Sequence, residues 1–127
     1  MNSSTWKEIK SESQWRSLEA QVHGFHDGFI KRLTWDNPDF VDKKNMDLHF
    51  EGAPEVRVLI QMQNPEFCQV ELLFSDVAKC LISARADATP QCQFDKGQVV
   101  AKFLQIENVE AKAFSYRVPN GNESESA

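Results

Sequence analysis

From Glu55 to Ser75 apolar and polar residues alternate with a period of two, the clearest structural signal in the chain. Val56, Val58, Ile60 and Met62 share one parity, against Glu55, Arg57, Gln61 and Gln63. After an Asn64-Pro65-Glu66 turn, Cys68, Val70, Leu72 and Phe74 repeat the pattern. Period two puts each set on one face of a strand. A further turn near Asp76 leads to Ala78, Cys80, Ile82 and Ala84. Keeping the apolar faces together predicts the rows Val58/Leu72/Cys80 and Ile60/Val70/Ile82 in a three-stranded meander. A slip of one residue would turn every apolar side chain to water.

Upstream, Gly28 to Trp35 reads as a strand, and Asp36-Asn37-Pro38-Asp39 starts a polar connection. Met46, Leu48 and Phe50 alternate with Asp47, His49 and Glu51, which predicts a half-buried strand preceding the one at 55–63 and ended by Gly52-Ala53-Pro54. The period is helical from Ser11 to His23, where Trp15, Leu18 and Val22 share one face. Ser11 with Gln14 fits a capping box, and Gly24 suits the C-terminal stop. Downstream, Ala86 to Gln91 reads as a loop and Asp95-Lys96-Gly97 as a hairpin turn. Residues 98–106 satisfy either period imperfectly. Asn108 to Val118 reads as a final strand with a parity change near Ala113-Phe114, the mark of a bulge.

Short turns between sequential strands imply antiparallel pairing. The fold class is therefore α+β or mainly β: an antiparallel meander sheet or two-layer sandwich with one N-terminal amphipathic helix. Ala78 and Ala84 would let Trp15 approach the sheet. Residues 1–118 form one globular domain, and 119–127 read as a disordered polar tail.

The length of 127 residues supports a self-sufficient core, since about two-thirds of the chain's surface is buried at this size. Fourteen Lys plus Arg against nineteen Asp plus Glu leave a net charge of −5, which argues against nucleic-acid binding. No apolar run reaches the ~20 residues of a membrane span, and Met1 to Lys10 lacks a signal-peptide pattern. The expected compartment is the cytoplasm. Cys68, Cys80 and Cys92 are an odd number without a CxxC pair, so they read as small apolar side chains and not as a zinc site. No cofactor motif is present.

The densest polar cluster is His23-Gly24-Phe25-His26-Asp27-Gly28, between helix and strand. His26 and Asp27 are expected to hydrogen-bond backbone groups and fix the turn. A small metal-dependent or hydrolytic enzyme using His23, His26 and Asp27 is the alternative, although no further metal-spaced ligands appear. On the polar parity of the meander, Leu59, Leu73 and Leu81 are expected to lie close together. Either the 98–118 segment covers them or they form a partner or homodimer surface, which would make the chain a homo-oligomeric structural protein.

The run Phe25-His26-Asp27-Gly28-Phe29-Ile30, followed by a strand and a meander, resembles small bacterial domains with a His-Asp-(small)-x-(aliphatic) signature. Among them are immunity proteins of polymorphic toxin systems, the type numbered fifty. The resemblance implies a non-enzymatic protein that binds and blocks a cognate toxin, with His26 and Asp27 the positions carried over. An acidic surface suits a basic toxin domain as partner.

Overall fold

The computed structural model describes residues 5–119. The first half of the chain runs β1 (Lys7–Glu8), α1 (Glu12–Gln21), β2 (Gly28–Asp36), β3 (Phe40–Asp42), β4 (Asp47–His49) and β5 (Glu55–Met62). The second half continues with β6 (Gln69–Ser75), β7 (Lys79–Ile82), β8 (Ala88–Asp95), β9 (Gln98–Leu104), β10 (Ile106–Ala111) and β11 (Ala113–Arg117). The protein is mostly β, with one helix near the N-terminus and antiparallel pairing throughout the described residues.

Two sheets make the body, ordered β1-β11-β6-β5-β2 and β7-β10-β9-β8, with β3-β4 a separate hairpin. The register of β5 and β6 follows the hydrophobic pattern: Val58 faces Leu72 and Ile60 faces Val70, all fully buried. The third row is different. After Ser75 the chain bends at Asp76, whose φ of +54° an aspartate tolerates, and β7 joins the other sheet against β10. The place beside β6 goes to β11. Cys80 is half-buried, and Ile82, Ala78 and Ala84 are exposed, so none forms the expected inner row.

The parity change near Ala113 has the same origin. Between β10 and β11 the chain passes from the second sheet to the first at Lys112, beside the bend at Asp76. Lys112 donates its amide to the Ser75 carbonyl (3.0 Å) and Ala78 donates to the Glu110 carbonyl (2.8 Å). Two neighbouring strand segments thus turn one corner together and pass from one sheet to the other.

Residues 98–104 form a strand, with Val99, Ala101 and Phe103 buried, and a two-residue turn at Leu104-Gln105 returns the chain into β10. The region expected as a loop at 86–91 already enters β8 at Ala88. The Lys96-Gly97 turn joins β8 to β9 with φ of +50° and +77°, the positive values a two-residue hairpin turn favours.

The helix closes one end of the core. Ser11 Oγ accepts the Gln14 amide (3.3 Å), while Gln14 Oε1 accepts the Lys10 amide, a capping exchange set one residue early. Trp15, Leu18 and Val22 are buried as their spacing requires. Trp15 meets Phe25, Phe103 and Phe114 at ring distances of 5.8, 6.4 and 5.9 Å, so aromatics from both sheets receive it, not Ala78 or Ala84. The polar tail expected at 119–127 lies, beyond a buried Pro119, outside the described residues.

Candidate functional site

The junction between α1 and β2 is built around one ring. Phe25 sits at φ +60°, a conformation costing a non-glycine residue roughly 1–2 kcal/mol. Its side chain is 1% exposed, stacked on Phe103 at 5.8 Å, and burial of such a ring contributes about 2–3 kcal/mol. His23, Gly24 and Asp27 also take positive φ, so the whole junction is a left-handed turn that delivers the ring into the core. Gly28 is required by space, because an added Cβ would lie 2.6 Å from Met62 Cγ and 3.0 Å from the Phe25 carbonyl oxygen.

His26 and Asp27 do not perform the backbone bonding expected of them. Their side chains face water, 78% and 56% exposed, with Nε2 and Oδ2 3.4 Å apart. Among the described residues Asp27 has no other side-chain partner. The turn is held by backbone bonds instead, His26 donating to the His23 carbonyl and Gln63 to that of Asp27. An open cleft of about 450 Å³ adjoins the junction, with Asp87, Pro90 and Leu104 on its far side. No hydrogen bond joins Asp87 to His26 or Asp27, and among the described residues no acidic, His or Cys group has the arrangement to hold a metal.

The three leucines separate. Leu59 and Leu73 lie on the outer face of the first sheet, opposite Glu71 and Arg57 respectively. Leu59 is 4% exposed and Leu73 is half-buried. On this face Trp6 stacks under the Arg57 and Arg117 guanidinium groups, at 5.6 and 4.5 Å, and Arg117 pairs with Glu71. Trp6, Arg57, Glu71 and Arg117 thus form a polar–aromatic cluster on the same face as the two leucines. Leu81 belongs to the second sheet, opposite Asn108, and is exposed. A contiguous leucine surface is absent among the described residues.

The exposed apolar surface gathers elsewhere. Of ten large apolar residues exposed among the described residues, six fall between Trp35 and Phe50. Met46, Leu48 and Phe50, expected as a half-buried face, are 72%, 67% and 78% exposed. Their strand β4 pairs with β3 alone, while β5 takes β2 as its neighbour. The cause lies in the flanks. Pro38, Gly52 and Pro54 interrupt the ladder on both sides of the hairpin and keep it off the main sheet.

Local bonds hold the hairpin itself. The Glu51 amide donates to Asp39 Oδ1 (2.8 Å) at its base, and the Lys44 amide to Asp42 Oδ1 (2.9 Å) at its tip. Opposed residues of an antiparallel pair share a face. Phe40 and His49 therefore stand together on one face, stacked at 4.6 Å with ring planes 5° apart, beside Asp42 and Asp47. His49 Nε2 lies 4.0 Å from Asp42 Oδ2. Val41 and Leu48 occupy the other face, with Phe50 two residues further along the same parity. Residues 36–55 carry six carboxylates and two lysines, a net −4 within a chain of −5.

An apolar groove of about 230 Å³ runs between Trp35, Val56, Val77 and Cys80, close to where the hairpin leaves the body. Burial pushes the Cys80 thiol pKa up, and burial together with the Glu12 charge pushes that of Cys92 up to about 12. Cys68, expected among the apolar positions, is exposed just before β6.

No family model, curated protein or solved structure matches the chain. Among the described residues no helix is long and apolar enough to cross a membrane.

Proposed function

We propose that this chain is a non-enzymatic, cytoplasmic protein-binding domain that neutralises a toxin by occupying its surface. The observation that carries this reading is the hairpin with its flanks, where six exposed apolar side chains lie between Trp35 and Phe50 and residues 36–55 hold a net −4 of the chain's −5. Apolar side chains gathered in one exposed place, rimmed by charge, mark a surface made to be covered. The charge fits a basic partner and would speed its capture. The likeness of Phe25 to Ile30 to the immunity-protein signature supports the same class.

The test is rescue. The product of the neighbouring reading frame, expressed alone, should arrest growth, and co-expression of this chain should restore it. Leu48→Asp with Phe50→Asp should abolish the rescue, whereas Asp27→Gly should retain it. A non-toxic neighbour product, or toxicity that this chain leaves unchanged, contradicts the reading.

A further inference from the structure

Building on that binding role, we propose that the β3–β4 hairpin inserts into a concave, basic slot on its protein partner and buries both of its faces there. A flat partner could cover one face only. Yet this ribbon exposes apolar groups on both: Phe40 beside His49 on one, Val41 and Leu48 on the other. A two-stranded ribbon alone is marginal in water, so both faces gain from cover. Packed sheets stand ~10 Å apart, so walls on either side of the ribbon would be separated by about 20 Å from backbone to backbone.

The charge distribution selects the occupant. Asp42 and Asp47 stand directly opposite each other on the Phe40 face, a like-charge pair that is unfavourable across strands until a cation comes between. Asp36, Asp39, Glu51 and Glu55 flank the hairpin's base and give residues 36–55 their net −4, so a second copy would bring a further −4 against it, which disfavours self-association. A partner wall carrying Arg or Lys on the Phe40 side and apolar groups on the Leu48 side answers both faces. Guanidinium also stacks on aromatic planes such as the Phe40–His49 pair.

Site-specific photocrosslinking in the source cells tests this with the full chain. p-Benzoylphenylalanine replaces Phe40, Leu48 or, as a control in the second sheet, Val100. The proposal expects adducts from positions 40 and 48 with the same basic protein, and none from position 100. Asp47→Lys should lower the yield at both hairpin positions about tenfold or more. That change creates an opposite-charge pair with Asp42, so it supports the hairpin while opposing the partner, and lost yield cannot be unfolding.

Adducts from position 48 but not 40 would overturn insertion and leave protein binding standing. So would adducts with a second copy, adducts confined to position 100, or a yield unmoved by Asp47→Lys. Absence of any protein adduct at all three positions would overturn both the insertion and the binding role.

Discussion

Asp27 occupies a left-handed backbone position with its carboxylate in water, so its backbone angle governs what a substitution does. Alanine there should cost about 1 kcal/mol and glycine should be neutral or stabilising by up to ~1 kcal/mol. Chemical denaturation of the two variants checks the order. A larger loss for both would restore a structural bond to the carboxylate. Its neighbour behaves oppositely: Gly28→Ala must push Met62 or the backbone, and should cost about 1–3 kcal/mol by the same measurement.

Cys92 supplies a pH signature. Its thiol ionises near 12 in the folded protein and near 9 when unfolded, so between those values the folded state holds the proton more tightly. The resulting stability is fully present below pH 9 and is lost as pH rises towards 12. At pH 8 a thiol reagent should label exposed Cys68 quickly and Cys92 only after unfolding. Equal rates would contradict the burial assigned to Cys92.

Pairs of strands were more legible than their assembly. The β5–β6 register followed from alternation alone, because both strands must bury the same parity and the Asn64-Pro65-Glu66 turn is short. Leu72→Ala should accordingly cost about 2–5 kcal/mol on denaturation; a change under ~0.5 kcal/mol would remove Leu72 from the core. The destination of β7 was not legible. Ala78, Cys80 and Ile82 keep the right parity, but the bend at Asp76 carries them to the other sheet, and alternation says nothing of which neighbour a strand takes. The helix was readable from Ser11 and the Trp15–Leu18–Val22 spacing. β1 escaped notice because two residues give no period.

The candidate site shows the same division. His26, Asp27 and Gly28 stood out as a motif, yet the structure gives the glycine the spatial role and leaves both polar side chains in water. Residues 46–50 were legible as a strand but not in their exposure, since period two cannot say whether a face meets a core or water, and β3 lay hidden in what reads as a polar connection. Pro38 and Pro54 were the available signal that residues 40–50 stand apart from the body. Gln105 joins the sheets by a less visible device: its Oε1 accepts the Ile30 amide beside the β2 bulge (3.2 Å). Gln105→Ala would leave that donor unpaired and should cost about 1–3 kcal/mol on denaturation.

Taken whole, the molecule separates stability from display. Aromatic rings from α1, β6, β9 and β11 meet in one core between the sheets, while the hairpin stands outside it, its base flanked by carboxylates. Substitutions in the hairpin should thus leave the melting temperature nearly unchanged, and substitutions in the core should weaken binding only through the folded fraction. The most direct test is the affinity of Leu48→Asp for the partner identified by crosslinking or rescue, measured by calorimetry. The account predicts a loss of about 2 kcal/mol or more, some thirtyfold in Kd, as for a central interface residue. An affinity within about twofold of wild type, a change below ~0.5 kcal/mol, would contradict the assignment of the hairpin as the binding element.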